Sequence, residues 1–537
     1  MRSRDCSFSL ACLGVFFGLT SHAATIMGVV KAPDNTGFRG AFVEARDTQT
    51  KITVAVLSDD AGHYRIDNLQ AGQYQISIRA VGYRADPGIA VTLASNGSES
   101  FDVALQKDVV QWSDISLYQG KELFPYLNGR DSFFESCTKG CHAFQTKIAT
   151  ATHDAGEWKK RVEYERTTNS YALGRLTNQD VERISYYLSR LFGPNSELDK
   201  SPSDRRGEDM HAGYQDTVRS FGSDSLNIVY VEYDVPLPGR FPYSAAPDKL
   251  GNIWIPNGGV ANKITRLRPE QGALQDFSVS NPGTADIHSL VSAPDGSIWL
   301  AEQGTNRLGR WDPSTQKIAE YQDESGKEGG SKHTVRIDAV GNLWSSGVPL
   351  TKFDPKSTQF TRIEKVPVSY DVELDKQGNA WFTDPATNKI GRVDGKTLNV
   401  SKWELPSSNA SPRRIQIAPD GKIWVAEFKA GKLARFDPKT QNFSEYALPG
   451  PDPSPWAMAF DADGFLWYSS QNTDTLVRFD TKTGKTIQYP FPHAEISTQE
   501  FFRDSTGKIW FASSANNKVG YFFLSNKADK AAHKQLM

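Results

Sequence analysis

The sequence predicts a mainly β protein, in which a seven-bladed β-propeller follows an N-terminal β-sandwich and a small α-helical domain. Three observations carry this. The phrase Gly-x-(Ile/Leu/Ala)-Trp recurs seven times, ending at Trp254, Trp299, Trp344, Trp381, Trp424, Trp467 and Trp510, with spacings of 45, 45, 37, 43, 43 and 43 residues. That is the period of a four-stranded propeller blade. Residues 24–107 alternate apolar and polar in short runs broken by turns, and residues 108–200 switch to helical periodicity.

The N-terminus carries Arg2 and Arg4, an apolar run from Leu10 to Leu19, and Ser21-His22-Ala23. This order predicts a signal peptide over 1–23 and a periplasmic or secreted protein. The run is too short to span a bilayer comfortably and no later stretch approaches that length, so no transmembrane segment is expected. The 61 basic and 63 acidic residues nearly cancel, which removes the electrostatic case for nucleic acid.

In 24–107, Asp60-Ala61-Gly62-His63-Tyr64 and Leu69-Gln70-Ala71-Gly72-Gln73-Tyr74 mark turns. The patterns Asp-x-Gly-x-Tyr and Leu-x-x-Gly-x-Tyr resemble carboxypeptidase regulatory-like modules, which implies a docking or spacer role without catalysis.

In 108–200, Thr177 and Asp180 form a helix-start signal ahead of Val181, Ile184, Tyr187, Leu188 and Leu191. The domain also contains Cys137-Thr138-Lys139-Gly140-Cys141-His142. Two thioethers and the following imidazole hold a c-type haem, ordinarily with two residues between the cysteines rather than the three found here. A small-loop disulfide is the alternative. With Trp158 to Val162 and Tyr186-Tyr187-Leu188, the segment resembles the cytochrome c-like domain. The resemblance implies haem c on Cys137, Cys141 and His142, and a periplasmic redox partner. Glu165 stands where that family commonly places an axial Met, leaving Met210, His211 and His153 as substitutes.

Residues 201–225 read as a linker, 226–524 as the propeller and 525–537 as a tail. Short strands such as Ala319-Glu320-Tyr321 and Phe443-Ser444-Glu445-Tyr446 precede blades, and none follows the last Trp phrase. Asn227 to Pro236 therefore supplies the missing outer strand and closes the ring.

Taking each Gly as a hairpin turn, positions eight before and six after it fall at one end of the inner strands. The first set is Tyr243, His288, His333, Tyr370, Arg413, Trp456 and Gln499; the second is Asn257, Glu302, Gly347, Asp384, Glu427, Ser470 and Ser513. Both sets are expected to ring one mouth of the channel, a concentration of imidazole, guanidinium and carboxylate that points to a small-molecule site.

Phrases such as Ala293-Pro294-Asp295-Gly296-Ser297-Ile298-Trp299 and Asn388-Lys389-Ile390-Gly391-Arg392 resemble the virginiamycin B (streptogramin) lyase family over about 226–524. The resemblance implies elimination at an ester or lactone, with His288 as base and Asp286 and Glu302 holding Mg²⁺; the hairpin count adds His333 and Arg413 as candidate catalytic residues of the same mouth. Three functions remain open: such a lyase, a haem-linked oxidoreductase whose propeller binds substrate or partner, and a protein that only binds.

Overall fold

The computed structural model describes residues 23–86, 88–138, 151–168, 176–202, 221–236, 241–258, 261–280, 285–324 and 330–525. The signal-peptide reading and the tail from 526 onward lie outside them, as do Cys141, His142, Met210 and His211.

The N-terminal domain is two small sheets over one core. Ala24–Lys31 pairs antiparallel with His63–Leu69, while Phe42–Asp47 lies between Ile52–Leu57 and Gly72–Arg79, with Ile89–Leu93 beyond. Alternation puts Ile26, Val43, Tyr64, Ile66, Tyr74, Ile76 and Val91 inside together.

The helices Leu117–Leu123, Ala155–Thr168 and Asn178–Leu191 form the next domain. Thr177 Oγ1 accepts from the Asp180 backbone N–H at 3.1 Å, and Asp180 Oδ2 accepts from the Thr177 N–H at 2.9 Å, the predicted reciprocal cap. Val181, Ile184, Tyr187, Leu188 and Leu191 then pack against Trp112, Phe124, Phe133, Phe134, Trp158 and Val162. Cys137 is half-buried beside this core.

After residue 227 the chain builds four-stranded antiparallel sheets. Six occur in sequence order, from the sheet ending in Ala273–Ser278 to the one ending in Thr486–Pro490. Phe502–Arg503, Ile509–Ser513 and Lys518–Leu524 start a further one, and its fourth strand is Ile228–Asp234, which pairs with Lys518–Leu524 from Ile228↔Leu524 to Asp234↔Lys518. First strands of successive sheets touch, and Phe502–Arg503 touches both Pro455–Phe460 and Ala246–Pro247, so the contacts run in a circuit.

The other edge of Ile228–Asp234 is occupied too. It pairs with Ile52–Leu57, from Val229↔Val56 to Tyr233↔Ile52, so that one eight-stranded sheet runs from the last propeller-like sheet into the N-terminal domain.

The repeated Trp fill the spaces between sheets, all seven buried. In five units an Asp six residues earlier, such as Asp375 before Trp381, accepts from the indole N–H and from the turn's backbone. The Gly of the repeated phrase sits at positive φ in every unit, from 82° at Gly251 to 95° at Gly341, as the tight turn requires. Among the described residues, no helix is long and apolar enough to cross a membrane.

Candidate functional site

Four of the innermost strands enter their sheets through the same kind of irregularity. The ladder register shifts at Ile287/Ser289, Lys332/Val335, Pro412/Ile415 and Pro455/Met458. A bulge leaves a residue outside the pairing and re-aims its side chain. The residues so released are His288, His333 with Thr334, Arg413 with Arg414, and Trp456 with Ala457.

With Tyr243 and Tyr370 these side chains form a continuous arc drawn from six sheets. The rings of Tyr243 and His288 stack with centroids 4.2 Å apart, while those of His288 and His333, at 3.8 Å, and of His333 and Tyr370, at 4.3 Å, meet at a tilt. Trp456 Nε1 donates to the Tyr370 hydroxyl at 2.9 Å. The Arg413 guanidinium carbon lies 4.9 Å from the Tyr370 ring, 4.6 Å from Trp456 and 5.4 Å from Phe428, a three-sided aromatic cage.

Both imidazoles are buried, and burial is the main reason their basicity falls well below the ordinary histidine value. The positive charge of Arg414 adds to this at both rings, and His288 and Arg413 add to it at His333. The pair is therefore neutral at pH 7. His288 Nδ1 has no hydrogen-bond partner.

Directly behind the arc lies a buried ionic cluster. Arg414 Nη1 donates to Asp371 Oδ1 and to Thr334 Oγ1, each at 2.9 Å, its Nε donates to the Gln499 carbonyl at 2.7 Å, and Glu500 lies 3.4 Å away. Arg336 bridges Glu373 at 2.7 Å and Glu500 at 2.8 Å. Burial raises the Glu373 carboxyl to about 7 despite Arg336. None of the five charged residues, Arg336, Asp371, Glu373, Arg414 and Glu500, was among the positions counted from the turn glycines. The signal was present as charged residues in otherwise apolar innermost strands.

The second set of counted positions behaves differently. Glu302 Oε2 accepts from Thr305 at 2.6 Å, and the neighbouring acid is Glu320 of the fourth strand. Glu427 has Glu445 as its neighbouring acid, and Asp384 takes Lys402 at 3.3 Å. These side chains run outward along their sheets. Burial and the neighbouring acid raise Glu302 to about 7 and Glu427 to about 8.

Asp286, held at φ 45°, accepts from the Tyr243 hydroxyl at 3.5 Å. Gly258 makes room for this contact, since a Cβ there would meet Tyr243 Cε2 at 2.1 Å. Asp286 and Glu302 thus face different partners. Among the described residues, no three His, Cys, Asp or Glu side chains converge as a shared metal ion would need.

Comparison with known proteins follows the same division. The carboxypeptidase regulatory-like domain matches residues 25–106, and the virginiamycin B lyase family matches residues 355–532, a range that includes Arg413 and Trp456 but begins after His333. No curated protein matches the chain. Among solved structures, selenomethionine-substituted virginiamycin B lyase from Staphylococcus aureus superposes with a TM-score of 0.51 at 20% identity, over 55% of this chain and 99% of that one. A streptogramin B lyase gives 0.50 at 23%, over 56% and 99%. At these identities the likeness is one of fold. The chain therefore carries a carboxypeptidase regulatory-like domain and, in its propeller-like part, a virginiamycin B lyase family domain.

Proposed function

We propose that the seven sheets close into a seven-bladed propeller whose mouth binds a small ester- or lactone-bearing molecule, and that the neutral His288–His333 pair removes a proton beside its carbonyl. One observation carries this reading: the row Tyr243, His288, His333, Tyr370 brings two uncharged imidazoles into contact in a buried, aromatic-lined site. A neutral imidazole is a base, and two meeting by chance of packing alone would leave less reason for Arg413 beside them. The C–H electron pair passes to the carbonyl, and the charge developing on its oxygen falls to Arg413, which stays protonated in its cage. Collapse of that charge forms the C=C bond and expels the carboxylate of the ester, an elimination of the lyase type.

The Mg²⁺ implied by the family resemblance does not fit Asp286 and Glu302 as they stand, because the two carboxyls turn to Tyr243 and to Thr305 with Glu320. No step is assigned to it. The test is a screen of cyclic and linear esters with ultraviolet detection of the new conjugated alkene. His288→Gln should lower turnover by ~10²-fold or more, as loss of a general base does. Unchanged turnover would reject the reading.

A second reading makes the protein an exported haem c electron carrier in which the propeller binds the substrate or redox partner. Its support is positional: the helix Leu117–Leu123 lies against Gln471–Thr473, immediately after Ser470 at the mouth end of its strand, and Cys137 sits in the same helical domain. Cys137, Cys141 and His142 would hold the haem, which would supply one-electron transfer. A mass equal to the bare chain after expression with haem-attachment machinery would end this reading.

A further inference from the structure

The hydrogen bonds behind the arc decide which nitrogen of His333 carries its proton. His333 Nδ1 lies 3.1 Å from Thr334 Oγ1. The same Oγ1 accepts from Arg414 Nη1 at 2.9 Å. A guanidinium only donates, and a hydroxyl has a single proton to give. The Thr334 backbone N–H is spent on Ser346 Oγ at 3.0 Å, and the side chain is fully buried, so the hydroxyl proton has His333 Nδ1 as its acceptor. Arg414 cannot swing away from this duty. The same Nη1 also donates to Asp371 Oδ1 and lies 3.4 Å from Glu500, Nε is held by the Gln499 carbonyl, and Asp371 Oδ2 is itself fixed by the Ile415 N–H at 3.0 Å.

We propose that the Arg414–Thr334 relay locks His333 as the Nε2–H tautomer, which makes His333 the hydrogen-bond donor of the pair and leaves His288 as its proton acceptor. With Nδ1 engaged by Thr334 and Nε2 protonated, His333 has no lone pair to offer a carbon acid. His288, meeting it at 3.8 Å, keeps one. Thr334 and Arg414 act through His333 and are positioning residues. The groups facing the ring are His288, Tyr370, Arg413 and Arg414. The Tyr370 main-chain carbonyl is also within hydrogen-bonding reach. A proton on Nδ1 would strand the buried Thr334 hydroxyl without an acceptor. The division of labour, though not the tautomer, rests on the mouth being a proton-transfer site.

The test is a long-range ¹H–¹⁵N spectrum of the full chain with labelled imidazoles at pH 7, His333 being identified by its loss in His333→Gln. The expected wild-type pattern is a protonated Nε2 and an unprotonated Nδ1. Thr334→Val should shift His333 toward the Nδ1–H form and lower kcat by ~10-fold with little change in KM, and Thr334→Ser should restore both. His288→Gln should remove turnover and leave the His333 pattern as it was. A wild-type His333 protonated at Nδ1, or a tautomer unmoved by Thr334→Val, overturns the relay. Turnover that survives His288→Gln beside an Nε2–H His333 overturns the division of labour alone, and a protein with the Nε2–H pattern but no proton-transfer activity removes that division together with the reading of the mouth.

Discussion

Glu302 and Glu427 keep their protons in the fold to about 7 and about 8, whereas an exposed glutamate releases its own near ~4.3. Between those values the folded chain binds more protons than the unfolded one, so stability is greatest below the lower value and falls as pH rises through the upper. The melting temperature should therefore drop by roughly 2–5 °C from pH 5.5 to 8.5, and Glu427→Gln, which needs no proton to stay neutral, should flatten that slope in a calorimetric pH series. A slope of opposite sign would show that other groups dominate. At this scale the sequence was readable where spacing alone decides: counting from the turn glycines reaches His288, His333, Tyr370, Arg413 and Trp456, and all five lie in the arc. The count missed Arg414, which a bulge turns inward beside the counted Arg413, and Asp371, which follows the counted Tyr370 just before its strand's ladder begins. It placed Glu302 and Glu427 at the mouth because strand ends were taken to point the way the strand runs. Their partners are on the fourth strands, and nothing local in the chain specifies those.

Within one sheet, the turn before each Trp is an element with its own internal bonding. Asp375 Oδ1 accepts from the Gln377 and Asn379 N–H groups at 3.0 and 2.8 Å, and Oδ2 accepts from Asn379 Nδ2 and Trp381 Nε1 at 2.9 and 3.0 Å. Asp375→Ala leaves a buried indole N–H unmet and should cost about 1–3 kcal/mol, read from the midpoint of urea unfolding. The second and fifth sheets carry Ala293 and Ala418 at the equivalent position, so Ala293→Ser, which alters a turn never built on that acid, should move the midpoint far less. Equal losses would show that the carboxylate bonds contribute little. These turns were legible from Gly and Trp together. The acid six residues before the Trp was not, since it passes for an ordinary loop aspartate until its hydrogen bonds are seen.

For the whole molecule, the strand Ile228–Asp234 is the piece that cannot be spared. Its Ile228 and Tyr230 are buried with Phe511 and Phe522 of the last sheet and with Phe42 and Ala55 of the N-terminal domain. Deleting 226–236 should abolish cooperative unfolding of the propeller, while deletion after Ser525 should leave its melting temperature within about 1 °C. Equal effects would contradict the closing role. Pairing with Lys518–Leu524 was foreseeable, because one sheet lacked a strand and one strand lacked a sheet. Pairing with Ile52–Leu57 was not, since an edge strand advertises neither of its neighbours. Arg79 Nη1 and His493 Nδ1 at 3.3 Å, with His493 Nε2 and Glu232 Oε2 at 3.1 Å, tie the same junction from the side. The two-edged strand also fixes how the molecule carries load. Tension on the N-terminal domain passes through Ile52–Leu57 and Ile228–Asp234 straight into Lys518–Leu524, with no slack tether between them. Under a steady pull that junction should hold until the ring tears, and the two bodies should give way in a single rupture.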